Sequence, residues 1–196
     1  QLYAALLDLM PARGGILDLG CGPGKIARAL ADQVDEVYAV DPSALMLDLG
    51  QSLDAGQHRN IRWIESAAED LELPHSSLDL AIAGASIHWM RPEIVFPKLA
   101  DALTSRGMIA IVDGDEPAQA PWHGVYLDLI RTWVERLGGK WNSPDHQALM
   151  SAYSPWIDEE DQVVFTNAIT QSIEDFIASQ HARATWARTR MGEMAE

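Results

Sequence analysis

"ILDLGCGPGK", residues 16–25, sets Gly20, Gly22 and Gly24 at alternate positions behind a short apolar run that contains Asp18. A run of strand length, a glycine turn and then the helical pattern "KIARALAD" (25–32), with Ile26, Ala29 and Leu30 on one face, read as strand, turn and helix. Such a turn lets a ligand approach the main chain. The helix that follows offers N–H groups without intrahelical partners.

The same alternation continues on both sides. "LYAALLDLM" (2–10) has helical spacing and is ended by Pro11 and Gly14-Gly15. "EVYAVD" (36–41), "IRWIES" (61–66), "LDLAIAG" (78–84) and "GMIAIVDG" (107–114) read as strands, with a helix over 43–55 and another carrying Pro92 in its first turn. Pro97 is expected to break or kink that helix. Strands apolar on both faces, alternating with helices, call for a mostly parallel sheet covered on both sides: a doubly wound, Rossmann-like α/β domain with right-handed crossovers.

After Gly114 the rhythm changes. Trp122, Val125, Tyr126, Leu129, Trp133, Val134 and Leu137 fall at helical spacing and predict one apolar face in a helical insertion after the fifth strand. "VVFTNAI" (163–169) is expected to form a sixth strand, and Ser172 to cap a terminal helix. Residues 1–196 are therefore read as one domain, with a cofactor-binding core over 1–114, an insertion or lid over about 115–160, and the sixth strand and last helix over 161–196.

Composition narrows the function. The chain is 47 % hydrophobic, and 29 acidic against 14 basic residues give a formal charge of −15, which disfavours phosphate backbones and anionic membrane surfaces as partners. Cys21 is the only cysteine and cannot form an internal disulfide. No apolar run approaches the roughly 20 residues of a membrane span, and no leader is visible, so the expected location is cytoplasmic. The opening Gln1 and a last segment that still reads as helix predict that the chain continues beyond both ends. No metal-ligand spacing is present.

Dinucleotide enzymes space their glycines G-x-G-x-x-G. Here the pattern is G-x-G-x-G, and Lys25 stands where the third dinucleotide glycine would be. Asp41 ends the second strand about 20 residues after Gly20, where a carboxylate can accept hydrogen bonds from both hydroxyls of a ribose. Followed by Pro42 and Ser43, it could equally cap the next helix.

The series as a whole resembles the class I S-adenosylmethionine-dependent methyltransferases, in their small-molecule "type 11" group. "ILDLGCGPG" is similar to the first motif of that family, "VYAVDPS" to the second, and "ESAAEDLELPHSSLDLAIAGASIHW" to the third and fourth. "LADALTSRGMIAIVDG" resembles the helix, turn and fifth strand that follow. The resemblance implies S-adenosyl-L-methionine as cofactor and a small-molecule methyl acceptor attacking through O, N or C. It implies that Gly20, Cys21 and Gly22 lie against the methionine part, with Asp18 reaching its amino group, and that Gly24 is among the cofactor-binding residues. Asp41 would hold the ribose, Ser43 and Met46 would border the adenine, Ala68 and Glu69 would meet the adenine edge, and Ala83 and Gly84 would line the methionine end. Two departures stand out. Ala67 occupies a position where many members carry an Asp beside the adenine amino group, and nothing after residue 170 reads as the family's seventh strand.

His88 follows the fourth strand at the sheet edge where ligands collect, either to move a proton or orient the acceptor, or to pack structurally. Trp89 reads as a pocket wall or a core residue, and Trp122 and Tyr126 as part of an acceptor wall or a packed helix face. Cys21 reads as a small side chain rather than a nucleophile. Arg183, Arg188 and Arg190 could pair with an anionic acceptor such as a carboxylate, or form a solvated face. The rival functions are a binding protein that keeps the cofactor pocket without turnover and a nicotinamide-dependent oxidoreductase.

Overall fold

The computed structural model describes residues 1–10, 12–113, 120–136, 138, 146–158, 161–166 and 168–181. The chain divides into two compact units, Gln1–Asp115 with Asp145–Gln162, and Glu116–Pro144 with Val163–Glu196.

The first unit is built on five parallel strands: β1 (Gly15–Leu19), β2 (Glu36–Asp41), β3 (Ile61–Glu65), β4 (Leu78–Gly84) and β5 (Leu103–Val112), in the order β3-β2-β1-β4-β5. Period-2 alternation divides the central strands between two cores. Ile16, Val37, Ala39, Leu80 and Ile82 pack with Leu6 and Leu7 of α1 (Leu2–Asp8), Ala27 and Leu30 of α2 (Lys25–Leu30) and Leu47 of α3 (Ala44–Asp54). On the other face Leu17, Leu19, Tyr38, Val40, Ala81 and Ala83 pack with Val95, Phe96 and Leu99 of α4 (Pro92–Ala102) and with Tyr153 of α6 (His146–Tyr153). Ile16, Leu17, Leu80 and Ile82 have no exposure at all, and burying a side chain of this size contributes about 1.5–3 kcal/mol.

Pro97 lies inside α4 without ending it. Pro97 and Glu93, whose carbonyl would have met the missing N–H, are both exposed, so water can take that hydrogen bond. β5 begins at Leu103, ahead of the expected Gly107, because the ladder with β4 shifts register between Leu78 and Leu80 and takes in the extra residues there.

In the second unit, α5 (His123–Arg136) and α7 (Ile173–His181) confirm helices in both expected places. The buried residues of α5 are Ile130 and Val134, whereas Val125 and Leu129 are exposed, so its inner face keeps Val134 of the predicted stripe but is rotated off Val125 and Leu129. Leu137 lies outside the described residues. The expected sixth strand is not formed: 161–166 and 168–170 hold no strand, and Val163, Val164 and Ile169 are exposed. β-branched residues favour a strand only where a neighbouring strand and a packed face receive them, and these have neither.

Candidate functional site

In the first unit the chain winds outward from β1 to β2 and β3, then crosses back to β4 beside β1. That reversal leaves a crevice beyond the carboxyl ends of β1 and β4, where open α/β sheets take their ligands. The loops there carry Gly20–Gly24 and Gly84–Trp89, and Asp41 ends the neighbouring strand.

The three glycines of the turn all have positive φ, but different neighbours. A Cβ at Gly20 would lie 2.5 Å from the Cβ of Ser86, whose hydroxyl donates to the Leu19 carbonyl at 2.5 Å. A Cβ at Gly24 would overlap the indole of Trp63. A Cβ at Gly22 would meet nothing within 4 Å. Gly20 and Gly24 therefore serve internal packing, and Gly22 is the one that faces open space. Trp63 also closes on Gly50 of α3, a partnership not foreseen from the sequence. A glycine in mid-helix was the available sign of a close approach.

Asp41 is buried, and its Oδ2 accepts the Gly22 N–H at 2.8 Å while Oδ1 accepts the Ser43 N–H at 2.9 Å. An ionised carboxylate has about four acceptor sites, so capacity for two more donors, such as ribose hydroxyls, is left. Asp41 thus fixes the turn before α3 and ties β2 to the glycine loop, while the helix cap itself is Ser43. Ser43 caps α3 by accepting the Met46 N–H at 3.4 Å, and Met46 is partly exposed beside it. Asp18 is 2 % exposed, and its Oδ2 accepts the N–H of Ala27 in the first turn of α2 at 2.9 Å. This satisfies one of the otherwise unpaired donors of that helix.

Burial, with Asp18 and Asp41 close by, pushes the Cys21 thiol far up, so it remains a neutral thiol. Ala68 and Ala83 are buried, and Gly84 is half-buried against Ile26. The Glu69 carboxylate is directed to the start of α4, where its Oε1 accepts the Arg91 N–H at 2.8 Å. That N–H holds the Glu69 carboxyl below the usual carboxylate range.

His88 and Trp89 occupy a short 3-10 turn after β4, both exposed, with ring centroids 5.0 Å apart. His88 has no hydrogen-bond partner among the described residues, whereas His58 and His75 pair with Asp54 and Asp101. Trp122 and Tyr126 belong to the second unit, where they form an edge-to-face cluster with Phe176. Arg183, Arg188 and Arg190 lie outside the described residues. Among the described residues no group of His, Cys, Asp and Glu is arranged to hold a metal, and no helix is long and apolar enough to cross a membrane.

The glycine turn thus leaves open space beside Gly22, and the Asp41 carboxylate is tied to the same turn. A family model for a methyltransferase domain matches residues 16–107. An uncharacterized methyltransferase of Mycobacterium tuberculosis is 32 % identical over 149 residues, covering 71 % of this chain and 72 % of that protein. The ubiquinone/menaquinone biosynthesis C-methyltransferase of Coxiella burnetii is 30 % identical over 129 residues, covering 63 % of this chain and 52 % of its own. Among solved structures, one from Anaeromyxobacter dehalogenans described as a type II methyltransferase shares the fold, with a TM-score of 0.67 at 23 % identity over 99 % of this chain and 81 % of that one. The chain belongs to the class I S-adenosylmethionine-dependent methyltransferases, in the type 11 group.

Proposed function

We propose that the protein transfers a methyl group from S-adenosyl-L-methionine to a small organic acceptor, with the cofactor seated between the glycine loop and Asp41. The tie from the Gly22 N–H to Asp41 Oδ2 carries this reading, because it brings the bare backbone and the partly free carboxylate to one place. When bound, S-adenosylmethionine supplies a methyl carbon already activated by its sulfonium. What is asked of the chain is chiefly positioning and the exclusion of water.

Each residue then has a defined task. Gly20, Cys21 and Gly22 give the tail of the cofactor a backbone it can approach, with Gly24 shaping the turn. Asp41 accepts from the ribose. Ser43 and Met46 border the base, joined by the Ala68 backbone. Ala83 and Gly84 limit the methionine end with small side chains. Glu69 contributes through its backbone, since its carboxylate is bound to Arg91.

For the acceptor, His88 is the group suited to take a proton from an O or N nucleophile near neutrality, being exposed and without a hydrogen-bond partner among the described residues. Trp89, exposed beside His88, offers flat apolar surface for an organic acceptor. The formal charge of −15 argues against nucleic acid as substrate. Calorimetric titration with S-adenosylmethionine and S-adenosylhomocysteine tests the seat directly: both should bind, and absence of heat from both at several temperatures overturns the reading.

A further inference from the structure

The segment 66–71 leaves β3 without helix or strand of its own, yet it is fixed at both ends. Glu65, the last residue of β3, stands opposite Asp41 in the parallel register, and the next residue, Ser66, donates its N–H to the Asp41 carbonyl at 3.2 Å. The segment therefore begins at the crevice. It starts against the residue whose carboxylate is tied to the glycine turn.

Its far end is held by α4. Ala68 and Leu71 are buried in the same core as Val95 and Leu99. The Lys98 ammonium donates to the carbonyls of Glu69 and Leu71, at 2.5 and 3.1 Å, and the Glu69 carboxylate accepts the Arg91 N–H at 2.8 Å at the start of the same helix. A helix N-terminus favours a negative charge there. Irregular backbone must find partners for its polar groups, and for these two carbonyls a side chain of α4 supplies them. The donors are left over: among the described residues the Ala67 and Ala68 N–H groups, directly after Ser66, donate to no other group.

We propose that the Lys98 ammonium and the Glu69 carboxylate are positioning groups: by clamping 68–71 to α4 they hold the free N–H groups of Ala67 and Ala68 beside Asp41, where these donors select the base of a bound nucleoside. The inference rests on the cofactor seat proposed above. A base with an acceptor nitrogen on its edge, as in adenine, satisfies such donors, whereas hypoxanthine carries an N–H at that nitrogen and confronts them. Released from the clamp, the segment keeps its donors but not their placement, so selectivity for the base falls.

The test is calorimetry on the full chain with S-adenosylhomocysteine and with S-inosylhomocysteine, its deaminated counterpart. The wild-type chain should prefer the adenine ligand. Lys98→Met keeps an apolar stem and removes the donors of the clamp. It should weaken S-adenosylhomocysteine by about 2- to 30-fold, the range for residues that act without touching a ligand, and narrow the preference. A wild-type chain without preference, or a Lys98→Met variant that melts lower but keeps the wild-type preference, overturns the proposal and leaves the seat intact. Failure of the wild-type chain to bind either S-adenosylmethionine or S-adenosylhomocysteine removes the seat and the proposal with it. If Lys98→Met does not fold, Glu69→Ala decides by the same ratio: a narrowed preference supports the clamp and an unchanged one refutes it. Glu69→Gln, which keeps an oxygen for the Arg91 N–H, should preserve the wild-type preference.

Discussion

The indole of Trp63 occupies the space that a Cβ at Gly24 would need, so the last glycine of the turn is held bare by β3 rather than by a ligand. Gly22, two residues earlier, has no atom within 4 Å of the same hypothetical Cβ. Two glycines of one motif thus answer to different demands, packing in one case and access in the other.

Alanine scanning separates those demands. Gly24→Ala must adopt positive φ and displace Trp63, which together should cost about 2–4 kcal/mol of stability, measured by denaturant unfolding. Gly22→Ala suffers only the strain of positive φ, about 1–2 kcal/mol. Its larger effect should be on S-adenosylmethionine, whose path over the backbone the new methyl obstructs. An affinity unchanged in Gly22→Ala would place the cofactor elsewhere.

Asp41→Asn should weaken S-adenosylmethionine by about 10- to 100-fold, the scale of losing charge-assisted hydrogen bonds of about 1.5–3 kcal/mol. One amide oxygen can still accept the Ser43 N–H, but the amide nitrogen would confront the Gly22 N–H donor. Stability should therefore fall as well. Comparing ligand binding with the unfolding midpoint separates the two effects, and adenosine alone should show most of the affinity loss if the ribose is what Asp41 holds.

At the opposite end of α3, the His58 Nδ1 pairs with Asp54 at 2.5 Å, and its Nε2 faces Asp32 at 3.5 Å. The Asp54 hydrogen bond is the main cause that raises the His58 ring above its ordinary range, against desolvation. Burial alone would raise Asp54, but hydrogen bonds from the His58 ring and N–H outweigh it and lower the carboxyl, with Arg28 helping. The raised histidine contributes stability in full below its unfolded value of about 6.5, and that contribution is lost as pH rises through the folded value. The lowered aspartate contributes above about 3.9 and loses its contribution as pH falls through the folded value. His58→Gln should accordingly lower the melting temperature most between about pH 4 and 6.5, and much less at pH 9. A deficit independent of pH would mean that the pair is not ionised in the fold.

The alternation of apolar strands and helices made the sheet legible, since β1, β2 and β4 are buried on both faces and local pattern and tertiary demand agree. The second unit was less so. In α5, Val125 and Leu129 have the spacing of a core stripe yet are exposed, because periodicity gives a face but not its orientation. "VVFTNAI" has strand composition and no strand partner. Around the glycine turn, spacing put Asp41 at the end of the second strand, and the structure joins it to the Gly22 N–H. The roles of Trp63 and Ser86, and the turning of Glu69 toward Arg91, depend on contacts between residues far apart in the chain that no local pattern encodes.

Substitution of His88 is expected to separate binding from turnover. Its ring touches Trp89 and makes no hydrogen bond among the described residues, so removing it disturbs no polar network there, and His88→Ala should retain stability and S-adenosylmethionine affinity. With an acceptor that must lose a proton during transfer, kcat should fall by about 10²–10⁴-fold, the usual contribution of a positioned base. With an acceptor that has no proton to lose, such as a tertiary amine, the variant should keep most of its rate. Equal losses on both acceptor types would make His88 a residue that orients the acceptor rather than one that accepts its proton.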